Sequence, residues 1–411
     1  MSWPTIPFER LFSQTTKNGL TRPSRVRGNG YKMINMGELF ANDRISADVD
    51  MDKVPMNERE LDTMLVEPGD LIFARQSLVL SGAGKCSIVT SVTEPTTFES
   101  HLIRVRLNKI AVRPDFFYYY FKSPACGMRS IVTQGVQAGI RASDLAKLPV
   151  HIPPLKTQQA IAETLAAYDD SIENNRQRMA LLEKAARQLY CEWFIRLRFP
   201  GHEHTRITNG VPEGWQSRVF LDACASLEDG DWIESKDQGG EDFRLLQISN
   251  IGINEFVETG NFRFITEQTF KRLNCREILS GQILISRMPK PIGRAWLVTK
   301  MPWRMITAVD AAIAIPNEDL ADSHFLTQFL NSPASLEHCA RRAVGATRAR
   351  VAKRELATIP LLLPPRQLQK HFRELAEPLN QQRAILYRQN EKLRAARDLL
   401  LPKLMSGEIA V

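Results

Sequence analysis

The sequence predicts an α+β protein: two pseudo-symmetric globular α/β domains separated by two long antiparallel coiled-coil helices. Three observations predict it. The chain repeats itself at an offset of about 210 residues, each copy carries short apolar runs broken by Gly and Pro, and each copy closes on a long heptad-patterned stretch. A long-period repeat fixes architecture first, because one folding unit then serves twice.

The duplication runs in order along the chain. Trp3 and Trp215 lie 212 apart, as do Phe8 and Phe220; Tyr31–Ile34 matches Phe243–Leu246, and Gly69–Arg75 matches Gly281–Arg287 at the same offset. A three-residue deletion shifts the offset to 209, which pairs Gly84-Lys85 with Gly293-Arg294 and Ser123-Pro124 with Ser332-Pro333. Asp144–Pro149 matches Glu355–Pro360, and Pro153-Pro154 matches Pro364-Pro365, both at 211. These landmarks divide the 411 residues into a first domain at 1–150, a first helical region and linker at 151–212, a second domain at 213–360 and a second helical region at 361–411. The length alone argues for more than one core.

Composition removes several classes. A hydrophobic fraction of 43% with 24% charged residues describes a globular chain rather than a disordered one. The net charge of +8 suits a polyanionic partner, but it is mild for this length. No run of about 18 apolar residues predicts a membrane span, and the opening MSWPTIPFERLF lacks the basic-then-apolar layout of a secretory signal. Six scattered cysteines with no CxxC pair argue against a zinc knuckle or a disulfide framework and suit a reducing cytoplasm.

Within each copy the elements follow from local pattern. Leu71–Phe73, Ile88-Val89 and Leu102–Val105 read as strands, with Gln282–Ser286, Ala295–Val298 and Ala311–Ile315 as their counterparts. The aromatic run Phe116–Phe121 reads as a short helix that fills a core, as does its counterpart Phe325–Phe329. Pro153-Pro154 precedes a helix, with Thr157 expected as its N-cap. Ile161, Leu165, Tyr168, Ile172, Asn175, Met179, Leu182, Ala186, Leu189 and Trp193 then alternate by four and three, a coiled-coil seam interrupted only at Asn175. The second copy places Phe372, Leu379, Leu386, Leu393 and Leu400 every seven, with Arg383 and Asn390 where apolar residues belong. Each helix needs a partner, and its own repeat is the obvious one. Asn175 either faces outward where the helices splay or is buried and fixes their register. Gln158, Glu163, Asp169, Asp170, Glu173 and Asn174 are expected on the outward face, while Trp193 and Phe194 are apolar anchors for the seam or for a partner.

No catalytic constellation assembles. Ser81–Ser87 suggests a phosphate loop, but Val79 stands where its first Gly belongs and Cys86 where Ser or Thr would meet magnesium. Both Pro-Pro pairs follow aliphatic residues, so no Asn-Pro-Pro-aromatic motif for amino methylation is present. His202 and His204 lack further ligands nearby, and Arg113-Pro114-Asp115 is not followed by the acidic-x-Lys of a nuclease.

The stretch LPVHIPPLKTQQAIAETLAAYDDSIENNRQRMALLEKAARQLYCEWF, with its PPLxxQxxI, LxxYDxxI and WF motifs, resembles the first helical region of Type I restriction–modification specificity subunits. Leu197–Pro200 through Val211–Trp215 resembles the family's passage into its second half, and Leu401–Ile409 its C-terminal end. The resemblance spans essentially the whole chain. It implies two target-recognition domains, each reading half of a bipartite double-stranded DNA sequence, and helices that set the half-site spacing. It also implies docking of two methyltransferase subunits, with endonuclease/translocase subunits joining that core. The chemistry, adenine methylation from S-adenosylmethionine, belongs to the methyltransferase partners; no cofactor and no metal is expected on this chain. Two rival readings are a coiled-coil scaffold that reads no DNA and a self-contained DNA-modifying enzyme.

DNA recognition needs Lys or Arg on phosphates and Arg, Asn, Gln, Ser or Thr on base edges. Equivalent positions in the two copies select Arg75 with Arg287, followed by divergent loops that supply Gln76 and Ser77 in one and Lys290 in the other. Lys85 and Arg294 follow at the next equivalent point as candidate phosphate contacts, with His101 and Asp310 as weaker candidates. Late in each domain, Gln134, Gln137 and Arg141 match a basic stretch with Thr347, Arg348 and Arg350. The alternative for the two strand-end arginines is an ion pair inside their own domain.

Overall fold

The computed structural model describes residues 3–135, 137–258 and 260–411. The chain forms two compact units, Met1–Asn174 with Gln389–Val411, and Asn175–Arg388. Packing thus divides both long helices between the units, where the sequence repeat places whole helices after each domain.

In the first unit, Leu71–Ala74 and Leu102–Val105 are buried at every residue, which is why they read as apolar runs rather than alternating ones, the second interrupted only by the buried Arg104. They pair antiparallel from Leu102–Ala74 to Val105–Leu71, at the centre of a five-stranded sheet. The sheet's order is Lys17–Asn18, Leu102–Val105, Leu71–Ala74, Cys86–Val89, Arg44–Ile45. A second sheet joins Tyr31–Ile34 to Lys53–Val54 and, in parallel, to Thr96–Phe98. Pro114–Lys122 forms the expected short helix, opened by a proline in its first turn. All six of its aromatics are buried in the core, as their helical spacing predicts.

The second unit repeats this plan. Cys224–Asp229, Ala311–Pro316, Ile283–Ser286 and Ala295–Leu297 form a four-stranded antiparallel sheet in that order. Phe243–Leu246 pairs with Phe264–Ile265 and, in parallel, with Arg304–Thr307. The repeat holds down to single bonds. The Phe8 N–H donates to the Leu148 carbonyl and the Phe220 N–H to the Ile359 carbonyl, each at 2.9 Å. Gly69 and Gly281 take the same left-handed φ, +94° and +93°, a conformation that favours glycine. Each glycine is followed by a side chain that closes the preceding turn: Asp70 accepts from the Glu67 N–H and Gln282 from the Leu279 N–H.

The long helices span Leu155–Tyr190, extended by one π-helical turn at Cys191–Ile195, and Arg366–Met405. The first begins directly after Pro154, so Thr157 lies inside it and is not its cap. Gln158 instead secures the start: its amide donates to the Pro153 carbonyl at 2.8 Å and accepts from the Arg113 N–H at 2.9 Å. Gln369 repeats this, donating to Pro364 at 2.8 Å and accepting from the Asp322 N–H at 2.8 Å.

Within the first unit, Ile161 and Leu165 share a core with Leu401, Leu404 and Met405, and the Asn390 amide donates to the Ile172 carbonyl at 3.2 Å. Rising numbers on one helix meet falling numbers on the other, so these segments run antiparallel. Within the second unit, Trp193 meets His371 at 5.2 Å between ring centroids, and Glu183 lies within electrostatic reach of Arg383, in the same sense. Trp193 and Phe194 are buried with Phe372, which makes them seam anchors. Asn175, Arg383 and Asn390, the polar residues on the apolar register, are all buried. Asn175 therefore does not face outward. Gln158 and Asp169 also leave the expected outward face: Gln158 is buried, and Asp169 pairs with Arg397 and accepts from the Tyr119 hydroxyl at 2.8 Å.

Candidate nucleic-acid interface

Both domains present the same backbone frame at the end of a central strand. In the first, the Arg75 N–H donates to the His101 carbonyl at 2.8 Å, and the Arg75 carbonyl accepts from the Ile140 N–H at 2.9 Å. In the second, the Arg287 N–H donates to the Asp310 carbonyl at 3.0 Å, and the Arg287 carbonyl accepts from the Val351 N–H at 3.1 Å. Each frame brings the loop after the strand beside the late loop of the same domain. The residue clusters chosen from sequence are therefore neighbours in space within each domain.

In the first domain this neighbourhood is a small sheet. Gln76–Ser77 pairs with Ala138–Gly139, which pairs with Thr133–Gln134. Gln134, Gln137 and Arg141 are exposed on it; Val136 lies outside the described residues. The Gln76 amide oxygen meets His101 Nδ1 at 2.8 Å. Arg75 is half-buried and donates to the Ser100 carbonyl at 3.3 Å. Ser77 is buried, and its hydroxyl accepts from the Val79 N–H at 3.2 Å, so it shapes the loop rather than facing out.

In the second domain the two loops line an open groove of about 770 Å³, with Lys290, Thr347, Arg348, Gln247 and Asp310 on its walls. The Val344 and Arg350 backbones exchange hydrogen bonds at 2.9 and 3.0 Å, closing the loop between them. Gly345 permits that closure: its φ is +126°, and a β-carbon there would lie 2.8 Å from the Arg348 carbonyl oxygen. Lys290, Thr347 and Arg348 are exposed.

Several sequence candidates turn inward. Arg287 is buried, paired with Asp229, and donates to the Val351 carbonyl at 3.0 Å. Arg294 is buried and donates to four carbonyls: Ile251 at 2.5 Å, Pro289 at 2.7 Å, Ile248 at 2.8 Å and Pro291 at 3.3 Å. Burial lowers its proton affinity, yet those carbonyls spread along the guanidinium edge hold the charge. Lys85 does the corresponding job in the first domain, with its ammonium on the Phe40 carbonyl at 2.8 Å and Asp43 at 3.3 Å. Arg350 donates to the Val309 carbonyl at 2.8 Å and pairs with Asp310 at 3.4 Å. These cations fasten loops to the scaffold. Arg287 with Arg75, and Arg294 with Lys85, occupy equivalent positions of the two copies, and what recurs there is the scaffold.

Sequence reasoning passed over the tip Leu78-Val79-Leu80, which is exposed beside Gln76. Its signal was an apolar triplet too short for a buried strand and bounded by Ser77 and Ser81-Gly82. It also passed over Arg129, exposed four residues before the Thr133–Gln134 strand, and Gln247 in the groove wall. Among the described residues, no group of three His, Cys, Asp or Glu side chains is placed to hold a metal ion. Nor is any helix among them long and apolar enough to cross a membrane.

Twin α+β domains with a common frame, unlike loops and long helices define a duplicated class of fold. Residues 25–184 match the family model for the Type I restriction modification DNA specificity domain. The chain is 23% identical over 371 residues to the Type I restriction enzyme MjaIX specificity subunit of Methanocaldococcus jannaschii, covering 87% of this chain and 83% of that one. It is 28% identical over 205 residues to the Escherichia coli EcoKI specificity subunit, covering 46% of this chain and 43% of that one. The fold is similar to the crystal structure of the Type I S subunit from M. genitalium, with a TM-score of 0.54 and 16% identity over 98% of this chain and 96% of that one. Over residues 25–184 and in overall fold, the chain is thus similar to Type I restriction–modification specificity subunits.

Proposed function

We propose that this chain is the DNA-reading subunit of a Type I restriction–modification complex and carries out no chemistry of its own. The observation that carries this reading is the shared frame at Arg75 and Arg287, which holds a different loop pair in each domain. One scaffold with two unlike reading surfaces suits a bipartite target with two unlike halves. Gln76, Gln134, Gln137 and Arg141 face the first half-site, and Lys290, Thr347 and Arg348 the second, with Arg75 at the margin. Gln suits adenine edges, and Arg and Lys suit guanine or phosphate. Asp310, on the groove wall, can accept from a cytosine amino group.

The paired helices act as the spacer between half-sites and as the docking surface for two methyltransferase subunits. Those subunits bring S-adenosylmethionine and methylate adenine; endonuclease/translocase subunits join for cleavage, and the complex works in the cytoplasm. The test is a genome-wide map of methylated adenines from cells carrying the methyltransferase partners, with and without this chain. A split motif with a fixed gap, present only with the chain, is the expected result. An unsplit motif, or a map indifferent to the chain, overturns the reading.

A further inference from the structure

The first domain carries a feature that phosphate and amide contacts do not use. Leu78, Val79 and Leu80 are 85%, 59% and 54% exposed, three consecutive apolar side chains held out in water. Single exposed apolar residues are ordinary, but a contiguous exposed run marks a surface meant to be covered.

This tip is built rather than loose. The Ser77 hydroxyl accepts from the Val79 N–H at 3.2 Å, and the Val79 carbonyl accepts from the Gly82 N–H at 3.1 Å. Gly82 is packed so closely that a β-carbon there would lie 2.3 Å from the Ser77 hydroxyl oxygen. The turn therefore pushes the three side chains outward and fixes them there. It rises directly from Gln76–Ser77, the strand that carries Gln76 and pairs towards Gln134. Arg129 and Arg141, exposed at either end of the adjoining hairpin, have no ion pair among the described residues and are available to phosphates. Cations flank, amides stand between, and the apolar tip sits at the margin of the same surface. The corresponding loop of the second domain has Met288 buried and Lys290 exposed, so it offers no such tip.

The geometry points to a specificity role for Leu78–Leu80: the tip enters the major groove and reads the 5-methyl groups of thymine in the half-site of the first domain. Thymine is the one base that presents a methyl group in the major groove, beside its O4 acceptor, and apolar side chains select it by burying that methyl. The neighbouring Gln76, Gln134 and Gln137 supply the amides that suit the adenine partners, so this half-site contains A·T pairs. The inference rests on the DNA-reading function proposed above.

The test uses the full chain with its methyltransferase subunits and a pool of randomised duplex DNA. The selected sequence is then made with thymine replaced by uracil, one half-site at a time. Uracil keeps every hydrogen bond and loses only the methyl. The expected result is about fourfold weaker binding per contacted methyl, from one half-site only, and loss of that difference in Leu78→Ser. Because Leu78 is a solvent-exposed tip residue, the variant tests contact rather than folding; Leu78→Met keeps an apolar group and retains the thymine preference. Equal binding to thymine and uracil at both half-sites overturns the inference, as does a Leu78→Ser variant that still prefers thymine. No sequence emerging from the pool overturns the DNA-reading function itself.

Discussion

At the scale of single residues, Arg294, Gln158, Gln369 and His324 carry structural weight that can be measured. Arg294→Met leaves the carbonyls of Ile248, Ile251, Pro289 and Pro291 without their donor. The expected loss of stability is about 2–4 kcal/mol, read by urea denaturation, because buried acceptors are costly to leave unpaired. Gln158→Leu and Gln369→Leu each remove a buried amide that bridges a helix start to a distant N–H, and each is expected to cost about 1–3 kcal/mol in the same measurement. His324 gives a pH signature. Burial lowers its proton affinity below the ordinary value of 6.5, outweighing Asp322 and Glu377, which raise it, while Arg373 also lowers it. Its Nδ1 meets the Asn380 amide at 3.2 Å, a bond the neutral ring accepts and the protonated ring loses. The unfolded chain therefore binds the proton more readily, and stability falls as pH drops below 6.5. His324→Gln is expected to flatten the fall in thermal midpoint between pH 7 and pH 5; an unchanged slope removes His324 as its source.

At the scale of elements, the helices were legible because a heptad seam is a strong, repeated signal, and the central strands because Leu71–Ala74 and Ile283–Ser286 are buried throughout and apolar but for the closing Ser286. The loops were half legible. Sequence located the pairs of loops that the folded domains bring together, but not which of their side chains face out. Lys85 and Arg294 illustrate the reason. Their acceptors include the backbone carbonyls of Phe40, Ile248 and Ile251, and a carbonyl acceptor leaves no trace in side-chain identity. Within the first unit, the helix pairing rests on a side-chain contact instead. Asp169 holds Arg397 and the Tyr119 hydroxyl, linking both long helices to the aromatic helix of the first unit. Asp169→Asn keeps the shape and removes the charge, leaving the largely buried Arg397 with the more exposed Asp398 as its remaining carboxylate. A loss of about 2–3 kcal/mol in urea denaturation is expected, and a loss below 0.5 kcal/mol assigns the pair a surface-like value.

At the scale of the whole molecule, the net charge of +8 understates how selectively cations are deployed. Arg287, Arg294 and Arg350 are engaged within their own domain, whereas Lys290 and Arg348 stand exposed on the groove. Replacing both Lys290 and Arg348 with Ala is expected to reduce the slope of log affinity against log salt by about 2 for duplex DNA. Arg350→Gln is expected to leave that slope unchanged; fluorescence anisotropy across a salt series reads both. The division of the chain has a consequence for its synthesis. Leu401, Leu404 and Met405 complete a core whose other members, from Phe8 to Leu165, are translated well before them, whereas Asn175–Arg388 is contiguous. On the ribosome, the half made first must therefore wait with Ile161 and Leu165 uncovered, while the half made second can close around its own residues. Contacts so distant in sequence form slowly, so the burden on nascent-chain chaperones falls on the portion that emerges earliest.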